Sequence, residues 1–387
     1  MQGHIRKRTH TTKSGRQTVR WYVVVDIGRT ASGRRRQKWH GGFRTRKEAE
    51  AARARIVHEI NGGTYIEPSK VTFDQWIETW LPTIKTQVKP STFDSYRRNL
   101  ELHVLPRLGR QPLGNITGAN LTALYGELLE SGKRTGGGLS PKTVRYVHTI
   151  VHKALEDAVD SDLVAANAAT RAKPPKPRST SSSELRFWRP EELRRFLELV
   201  EGHRLEAAWH VAAMTGMRRG EVLGLRWKDI DLDGNRLSVR QAVVAVAYDV
   251  LTSTPKSHQA RVIDLDEATV GQLRVHHAGR DGAQVAGSDG SSENDLVFCR
   301  EDGSPIHPHT FSQAFERLVA KSDLPRIRLH DLRHTHASIA LQAGVPVKVI
   351  SERLGHESPA FTLKQYAHVI PGMQAEAAAV ISNAVLG

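Results

Sequence analysis

Alternation of apolar and polar positions over the first 60 residues predicts a small sheet with one helix. The runs TVRWYVVVDIG (18–28) and RRRQKWHGGF (34–43) are rich in β-branched and aromatic residues, and RTASG joins them as a loop of hairpin length. HIRKRT (4–9) is a candidate third strand. Thr45 to Glu48 forms a capping box, so a helix is expected from there to about Ile60. On the second long strand, Arg34, Arg36 and Lys38 share one face, and Trp39 is expected to pack on the helix from the other.

Helical spacing replaces strand alternation from residue 72 onwards. Thr72 to Gln75 is a second capping box, and the apolar residues after it recur three and four positions apart. Further helix starts are expected at Pro90, at Thr117 and at Ser140. AKPPKPRSTSSS (172–183) is rich in proline, serine and basic residues, a composition typical of a linker.

These patterns predict a multidomain chain with three folded parts. We expect a small N-terminal β-sheet plus helix domain (1–63), an all-α domain (68–170), a linker (171–186), and a mainly α (α+β) domain with a C-terminal tail helix (187–387). Within the last part, the polar and glycine-rich stretch 278–295 is expected to be a mobile insertion.

Charge points to a polyanionic partner. The formal net charge is +15, and residues 1–60 hold 16 Lys and Arg against 4 Asp and Glu. A basic sheet of this size can enter the major groove of DNA, and basic positions on the outer faces of helices can contact the DNA backbone. The candidate DNA-binding residues are Arg20, Arg34, Arg36 and Lys38 on the sheet, and Arg97, Arg98, Lys142 and Arg145 on the helices.

Several protein classes are disfavoured by what the sequence lacks. It contains no run of about 18 apolar residues of the kind that spans a membrane, and its N-terminus has no apolar core of a secretory signal. The single cysteine, Cys299, excludes an intrachain disulfide framework and is typical of a reducing compartment. A cytoplasmic location, with association to the nucleoid when DNA is bound, is therefore expected.

The stretch LHDLRHTHAS (329–338) concentrates histidine and arginine and permits two interpretations. His330 and His334 would share a helix face, as in the zinc motif H-E-x-x-H, but aspartate replaces the general base and no third ligand stands at a familiar spacing. Alternatively, His330 and Arg333, three residues apart, would offer a ring N–H and a forked cation to the oxygens of one phosphate. His336 and His334 are expected to be packing or polar-face residues on this second interpretation.

Four further motifs favour the phosphate interpretation. They are TGMRRGEVLGLRW (215–227), TPKS (254–257), LGHES (354–358) and, ten residues after His356, Tyr366. In this order, and with HDLRH between the second and third, they resemble the tyrosine recombinase, or phage integrase, family over about residues 187–370. The helical segment is similar to that family's core-site-binding domain, and the basic sheet to the arm-site-binding domain of its three-domain members.

The resemblance implies a role for each motif residue. Tyr366 would attack the scissile phosphorus and form a 3′-phosphotyrosine link. Arg218 and Arg333 would neutralise the growing charge on the non-bridging oxygens, and His330 and His356 would hydrogen-bond the same phosphate. Lys256, in a hairpin turn, would protonate the departing 5′-oxygen, and Glu221 would orient the basic side chains. No metal, ATP or other cofactor is required for this chemistry.

The favoured function is a site-specific recombinase that integrates or excises a mobile element such as a phage or an integrative plasmid. Its expected partners are double-stranded DNA with core-type and arm-type sites and three further copies of the chain in a homo-tetramer on DNA. A host bending protein and an excision factor are candidate additional partners. The alternatives are a type IB topoisomerase-like enzyme, a DNA-binding protein without catalysis, and the metal hydrolase that the histidine pair suggests.

Overall fold

A computed structural model of the protein describes residues 3–11, 17–29, 35–62, 65, 70–176, 186–247, 249–254, 260–283, 295–366 and 374–386. Its internal contacts divide the chain into two compact units, Met1–Arg178 and Ser179–Gly387.

The first unit begins with the predicted antiparallel sheet. Its strands are β1 (His4–Thr11), β2 (Gln17–Arg29) and β3 (Arg35–Phe43), in the spatial order β1-β2-β3. Helix α1 (Arg46–Asn61) follows, and the hydroxyl of Thr45 accepts a hydrogen bond from the backbone N–H of Glu48 at 3.2 Å, as the capping box predicts. Val23 and Val25 on β2 pack against Ala49 and Ile56 of α1.

The predicted orientation of β3 is wrong. Residues paired directly across antiparallel strands project to the same face, and Lys38 is paired with Val25, which faces α1. Trp39 is paired with Val24 and projects from the open face instead, where the guanidinium of Arg8 lies 4.1 Å from the centre of its ring. Strand alternation was predicted correctly, but the aromatic residue was assumed to be the inward one.

The helical part of the first unit has a separate core. Its helices are α2 (Phe73–Lys85), α3 (Pro90–Asn99), a π-helical turn (Leu100–Val104), α4 (Leu105–Leu108), α5 (Gly118–Ser131) and α6 (Pro141–Asp160), with short 3₁₀ turns at Leu113–Asn115 and Ala168–Arg171. The two tryptophans of α2 bind α6 through their ring N–H groups. Trp76 donates to the carbonyl of Ala154 at 2.8 Å and Trp80 to the carboxylate of Asp157 at 2.7 Å. Each helix start expected at 72, 90, 117 and 140 is confirmed.

The second unit is mainly helical. Its helices are α7 (Pro190–Leu199), α8 (Glu206–Thr215), α9 (Arg219–Leu223), α10 (Glu267–Ala283), α11 (Pro308–Ala320), α12 (Asp331–Gln342), α13 (Val347–Leu354), α14 (Pro359–Tyr366) and α15 (Gln374–Leu386), with a 3₁₀ turn at Trp227–Asp229. Its strands are β4 (Ile230–Asp231), β5 (Arg236–Val239), β6 (Ala242–Val246), β7 (Asp249–Ser253) and β8 (Arg261–Asp264).

Two sequence-based expectations in this unit need correction. The segment that contains Lys256 was expected to be a hairpin turn, but β7 pairs with β6 whereas β8 pairs with β5, so the strands on either side of it belong to different sheets. The stretch 278–295 was expected to be a mobile insertion, but residues 278–283 belong to helix α10, which continues to Ala283. Residues 284–294, the rest of that stretch, lie outside the described residues, as does most of the predicted linker, 177–185.

A large aromatic core holds the second unit together and places α12. Five rings form its centre: Trp188, Phe196, Trp209, Phe311 and Phe315. The backbone N–H of Trp188 donates to the hydroxyl of Thr335 at 3.0 Å, which fixes α12 against this core. A smaller cluster of Leu341, Ile350 and Leu354 joins α12 to α13 and receives the ring of Tyr366 from the end of α14. None of the helices in the described parts of the chain has the length and apolar character needed to cross a bilayer.

Candidate active site

Arg218 lies where the chain leaves α8 and enters α9. Gly216 ends α8 in the left-handed region at φ 65°, and a Cβ there would come within 2.6 Å of Leu354 and 2.8 Å of His336. Glycine is therefore required both by the backbone conformation and by the close packing. The guanidinium of Arg218 donates to Glu221 at 2.9 Å and to the carbonyl of Gly355 at 3.0 Å, and remains partly exposed.

Glu221 is a buried anion shared by two arginines. Its side chain is 1% exposed, and its two oxygens accept from Arg218 at 2.9 Å and from Arg261 at 2.6 Å. Burial raises the pKa of this carboxyl, but the hydrogen bond and charge of Arg261 and those of Arg218 outweigh it, so the pKa lies below the usual range. The carboxylate is charged at neutral pH and orients both guanidinium groups.

Arg333 projects from the first turn of α12 into the same region. It is buried, and its Nη1 donates to the carbonyl of Gly216 at 2.8 Å. Burial, and then the charge of Arg218, lower the pKa of Arg333 to about 9. Its Nη2 is buried without a partner among the described residues. A buried donor of this kind is costly unless a ligand satisfies it, so the surroundings of Arg333 are suited to an anion.

Two histidines lie beside Tyr366, and a third, His330, packs against one of them. The ring centres of His330 and His334 lie 5.2 Å apart, and His334 Nδ1 lies 2.8 Å from the Tyr366 hydroxyl. The ring of His356 is nearly parallel to that of Tyr366, with centres 6.5 Å apart. Tyr366 is 1% exposed. Burial raises its pKa to about 12, although the charge of Arg333 opposes the rise.

The same burial keeps the histidines neutral. Burial, and then the ring of His330, lower the pKa of His334 to about 4. The pKa of His356 is lowered to about 3 by burial and by the charges of Arg333 and Arg218. Partial burial and Arg333 also lower the pKa of His330. Neutral imidazoles beside two guanidinium groups can each donate one N–H to the oxygens of a bound phosphodiester, which only accept, without adding further positive charge.

His356 is positioned by a second left-handed glycine. Gly355 ends α13 at φ 65°, and a Cβ there would come within 3.0 Å of Arg261. The turn brings His356 back so that its Nδ1 lies 2.7 Å from the hydroxyl of Thr362 on α14. The LGH motif therefore connects α13, α14 and the carbonyl that binds Arg218.

The structure brings together most of the predicted site residues. Arg218, Glu221, His330, Arg333, His356 and Tyr366 belong to one cluster of contacts and electrostatic interactions. Lys256 and Arg34 lie outside the described residues.

Sequence reasoning missed two members of this cluster. His334 was expected to be a packing or polar-face residue, yet it binds the hydroxyl of Tyr366. Arg261 was not considered, although it binds buried Glu221 and donates to the carbonyl of Arg353 at 2.9 Å. The available signal was a basic residue at the start of ARVIDLD (260–266), the segment that follows the TPKS motif. His336, by contrast, has the packing role that was expected. Its Nδ1 lies 3.1 Å from the carbonyl oxygen of Ala213, which accepts the hydrogen bond.

The candidate DNA-binding residues differ in their surroundings. Arg20 is paired with Arg8 on the open face of the N-terminal sheet, whereas Arg36 and Lys38 alternate onto the face that α1 covers. Arg97 binds Asp94 at 2.8 Å and Glu101 at 3.1 Å, so two carboxylates already engage it. The other three candidates on the helical part have exposed side chains: Arg98, Lys142 and Arg145.

The metal interpretation receives no geometric support within the described ranges, where no group of three or more His, Cys, Asp or Glu side chains is placed to hold an ion. His334 instead binds a tyrosine hydroxyl.

Three family models match the chain in sequence. An arm DNA-binding domain matches residues 7–60, an N-terminal SAM-like domain of phage integrases matches 72–129, and the phage integrase family matches 186–372. The chain belongs to the phage integrase family of tyrosine recombinases. Its assignment as a tyrosine-type site-specific recombinase, and its predicted fold class, are confirmed with it.

Relatives of this recombinase match along nearly its whole length. A XerC-like tyrosine recombinase of Caldanaerobacter subterraneus subsp. tengcongensis is 28% identical over 396 residues, which cover 97% of this chain and 99% of the relative. Among solved structures, the Tn1549 transposon integrase in complex with transposon right end DNA has a TM-score of 0.65 at 21% identity, covering 82% of this chain and 100% of that one. A lambda integrase tetramer bound to a Holliday junction has a TM-score of 0.55 at 18% identity, covering 91% and 96%. Both structures share the recombinase fold.

Proposed function

We propose that this recombinase cleaves and rejoins DNA through a 3′-phosphotyrosine intermediate with Tyr366 as the nucleophile. The observation that carries the proposal is that Nη2 of Arg333 is buried without a partner among the described residues, in a cluster that also holds Arg218 and Tyr366. A phosphodiester oxygen would satisfy that donor and bring the phosphorus near the hydroxyl. Two guanidinium groups then face the oxygens on which charge grows during attack.

The chemistry divides among the clustered side chains. The Tyr366 oxygen bonds to phosphorus while the bond from phosphorus to the 5′-oxygen breaks. Arg218 and Arg333 stabilise the non-bridging oxygens, and His330 and His356 hydrogen-bond the same phosphate. Glu221 keeps Arg218 aimed at the phosphate, and Lys256 gives a proton to the departing 5′-oxygen. Reversal by another 5′-hydroxyl rejoins the strands, so neither a metal nor ATP takes part.

We further propose that three domains divide the work on DNA. Residues 1–63 bind arm-type sites, residues 68–170 bind core-type sites, and residues 187–387 carry out catalysis, with 171–186 as the linker. The matches of the arm and SAM-like family models to the first two regions support it. On the N-terminal sheet, the open face with Arg8, Arg20 and Trp39 is better placed to read DNA than the α1-covered face of Arg36 and Lys38.

The biological role we propose is integration or excision of a mobile element by a homo-tetramer on DNA. It is supported by the likeness to a transposon integrase and to a lambda integrase tetramer bound to a Holliday junction. A host bending protein and an excision factor would assist where long attachment sites must be folded.

A suicide substrate tests the nucleophile. Duplexes from the DNA that flanks the gene, nicked so that cleavage releases a short fragment, should trap a covalent adduct of the wild-type protein. Tyr366→Phe, which removes one hydroxyl, should form no adduct while DNA affinity changes less than about threefold. Adduct formation by the phenylalanine variant would assign the nucleophile elsewhere.

A further inference from the structure

The hydroxyl of Tyr366 has one hydrogen-bond partner among the described residues, and it is a group that can take up a proton. His334 Nδ1 lies 2.8 Å from the hydroxyl oxygen, and the ring centres are 5.7 Å apart. The hydroxyl is excluded from solvent because Tyr366 packs in the cluster of Leu341, Ile350 and Leu354. Bulk water is therefore not the first recipient of its proton.

The other side chains near the hydroxyl are less suited to receive that proton. His356 lies with its ring parallel to Tyr366, and its Nδ1 already contacts the hydroxyl of Thr362 at 2.7 Å. Arg333 carries only donors. His330 touches the edge of His334 rather than the hydroxyl in the described contacts. The neutral state of His334, with its pKa lowered to about 4 by burial and by His330, leaves Nδ1 able to accept.

We propose that His334 is a catalytic residue that accepts the proton of the Tyr366 hydroxyl during attack on the phosphate. The proposal rests on the function proposed above. The bond between the tyrosine oxygen and phosphorus forms, the bond from phosphorus to the 5′-oxygen breaks, and the tyrosine proton moves to His334 Nδ1. The 5′-oxygen receives its own proton from Lys256, so charge and protons balance. In the reverse reaction His334 returns the proton to Tyr366.

Charge in the pocket favours this transfer once DNA is bound. In the free protein, burial and the ring of His330 lower the pKa of His334 most, and the positive charge of its chain neighbour Arg333 lowers it further. A phosphodiester held by Arg333 and Arg218 would offset these cations and raise that affinity. The proton acceptor therefore becomes stronger at the moment when substrate occupies the site.

The test compares His334→Ala with His334→Gln in single-turnover cleavage of the suicide substrate. Glutamine can accept a hydrogen bond from Tyr366 but cannot take its proton. Both variants should form adduct about 10²-fold more slowly than wild type, which is the lower end of the rate loss expected when a general base is removed. Their affinity for DNA should be nearly unchanged. His309→Gln, the same substitution at an exposed position of α11, serves as the control and should leave the rate unchanged. Thermal unfolding checks that each variant is folded, and His334→Asn replaces any that is not.

A second substrate separates proton acceptance from proton donation. A 5′-bridging phosphorothiolate has a sulfur leaving group that needs no proton, so it should restore Lys256→Ala but neither His334 variant. Restoration of His334→Ala by sulfur would place His334 on the leaving-group side and overturn the proposal. A glutamine variant as fast as wild type, or an alanine variant faster than wild type, would also overturn it, because the contact would then only orient or restrain Tyr366. Absence of any adduct at Tyr366 in the wild-type protein would instead refute the proposed function.

Discussion

Replacing Arg261 by methionine would leave the carboxylate of Glu221 buried with one cation instead of two. Arg261 is 10% exposed and Glu221 1% exposed, and their closest approach is 2.6 Å. Methionine has a similar reach but no charge, so it fills the space of the arginine stem and removes the pairing. Arg218 would remain as the single counter-ion, at 2.9 Å. Because Arg218 also faces the phosphate in the proposed reaction, we expect both stability and cleavage to fall.

Removing one partner of a buried ion pair costs about 3–5 kcal/mol, because the remaining charge has lost its compensation. The lower end, about 3 kcal/mol, applies here because Arg218 still binds Glu221. In a folded unit of this size, about 3 kcal/mol corresponds to a fall of about 6–12 °C in Tm. That is a large share of the roughly 5–15 kcal/mol by which domains are stable.

Thermal unfolding of the full chain, followed by calorimetry, provides the measurement. Glu221→Gln and the double variant Arg261→Met/Glu221→Gln complete a cycle, in which the double variant should lose about 1–3 kcal/mol less than the sum of the single variants. A cost below about 1 kcal/mol for Arg261→Met, or strict additivity, would refute the view that Glu221 depends on both arginines.

Acid conditions should reveal the same pairing. The pKa of Glu221 lies below its ordinary value of 4.5, so its contribution to stability is fully present above about pH 4.5 and is lost as the pH falls through the lowered, folded-state pKa. Arg261→Met removes part of the cause of that lowering. The variant should therefore begin to unfold at a higher pH than wild type, and identical acid-unfolding curves would contradict this.

Two further predictions concern DNA. Arg333→Ala should slow adduct formation by about 10²-fold or more, as expected when one donor to a developing charge is removed. DNA affinity, measured in a mobility shift, should change far less. An equal loss of cleavage rate and DNA affinity would indicate a structural role. Deleting residues 1–63 should make the salt dependence of binding to long attachment DNA shallower. The truncated protein should no longer bind arm-type sites but should still cleave core sites. Recombination at wild-type efficiency on long sites would contradict the assignment of residues 1–63 to arm-site binding.

Local sequence signals predicted the helix starts well. Thr45, Thr72, Thr117 and Ser140 each precede a helix, because a cap or first turn is a short-range interaction between residues three positions apart. The catalytic candidates were also predicted from short motifs, each of which spans one turn or one helix end. Their convergence on one pocket depends on the fold, which the ordered resemblance to a known family supplied.

The sequence-based predictions were wrong or incomplete where contacts between residues distant in the chain determine the position of a side chain. Whether Trp39 or Lys38 faces α1 depends on the register between β2 and β3, which no pattern within β3 specifies. The contact between His334 and Tyr366 joins residues 32 positions apart in the chain. The link from Arg261 to Glu221 joins residues 40 positions apart and unites β8 with α9. A single sequence states the residue types at such sites without stating the pairing.

The C-terminal helix α15 presents apolar side chains that its own chain leaves uncovered. Ile381 is 63% exposed and Val385 74% exposed, so contacts with its own catalytic unit do not bury these two side chains. A helix of 13 residues is marginal in water unless an apolar face is buried. Burial of these two side chains would contribute about 1.5–3 kcal/mol each, enough to favour docking on a second protomer.

Truncation after Met373 tests docking in trans. Head-to-tail exchange of α15 would close a ring of subunits, so the truncated protein should bind core DNA as a monomer but fail to assemble a synaptic complex on two duplexes. Ile381→Glu combined with Val385→Glu keeps the chain length and should have the same effect, because two charges cannot enter an apolar groove without partners. Native gels and analytical ultracentrifugation with core-site DNA would separate the two species. Normal synapsis by either variant would refute docking through this face, and loss of monomer binding would show that α15 supports its own unit instead.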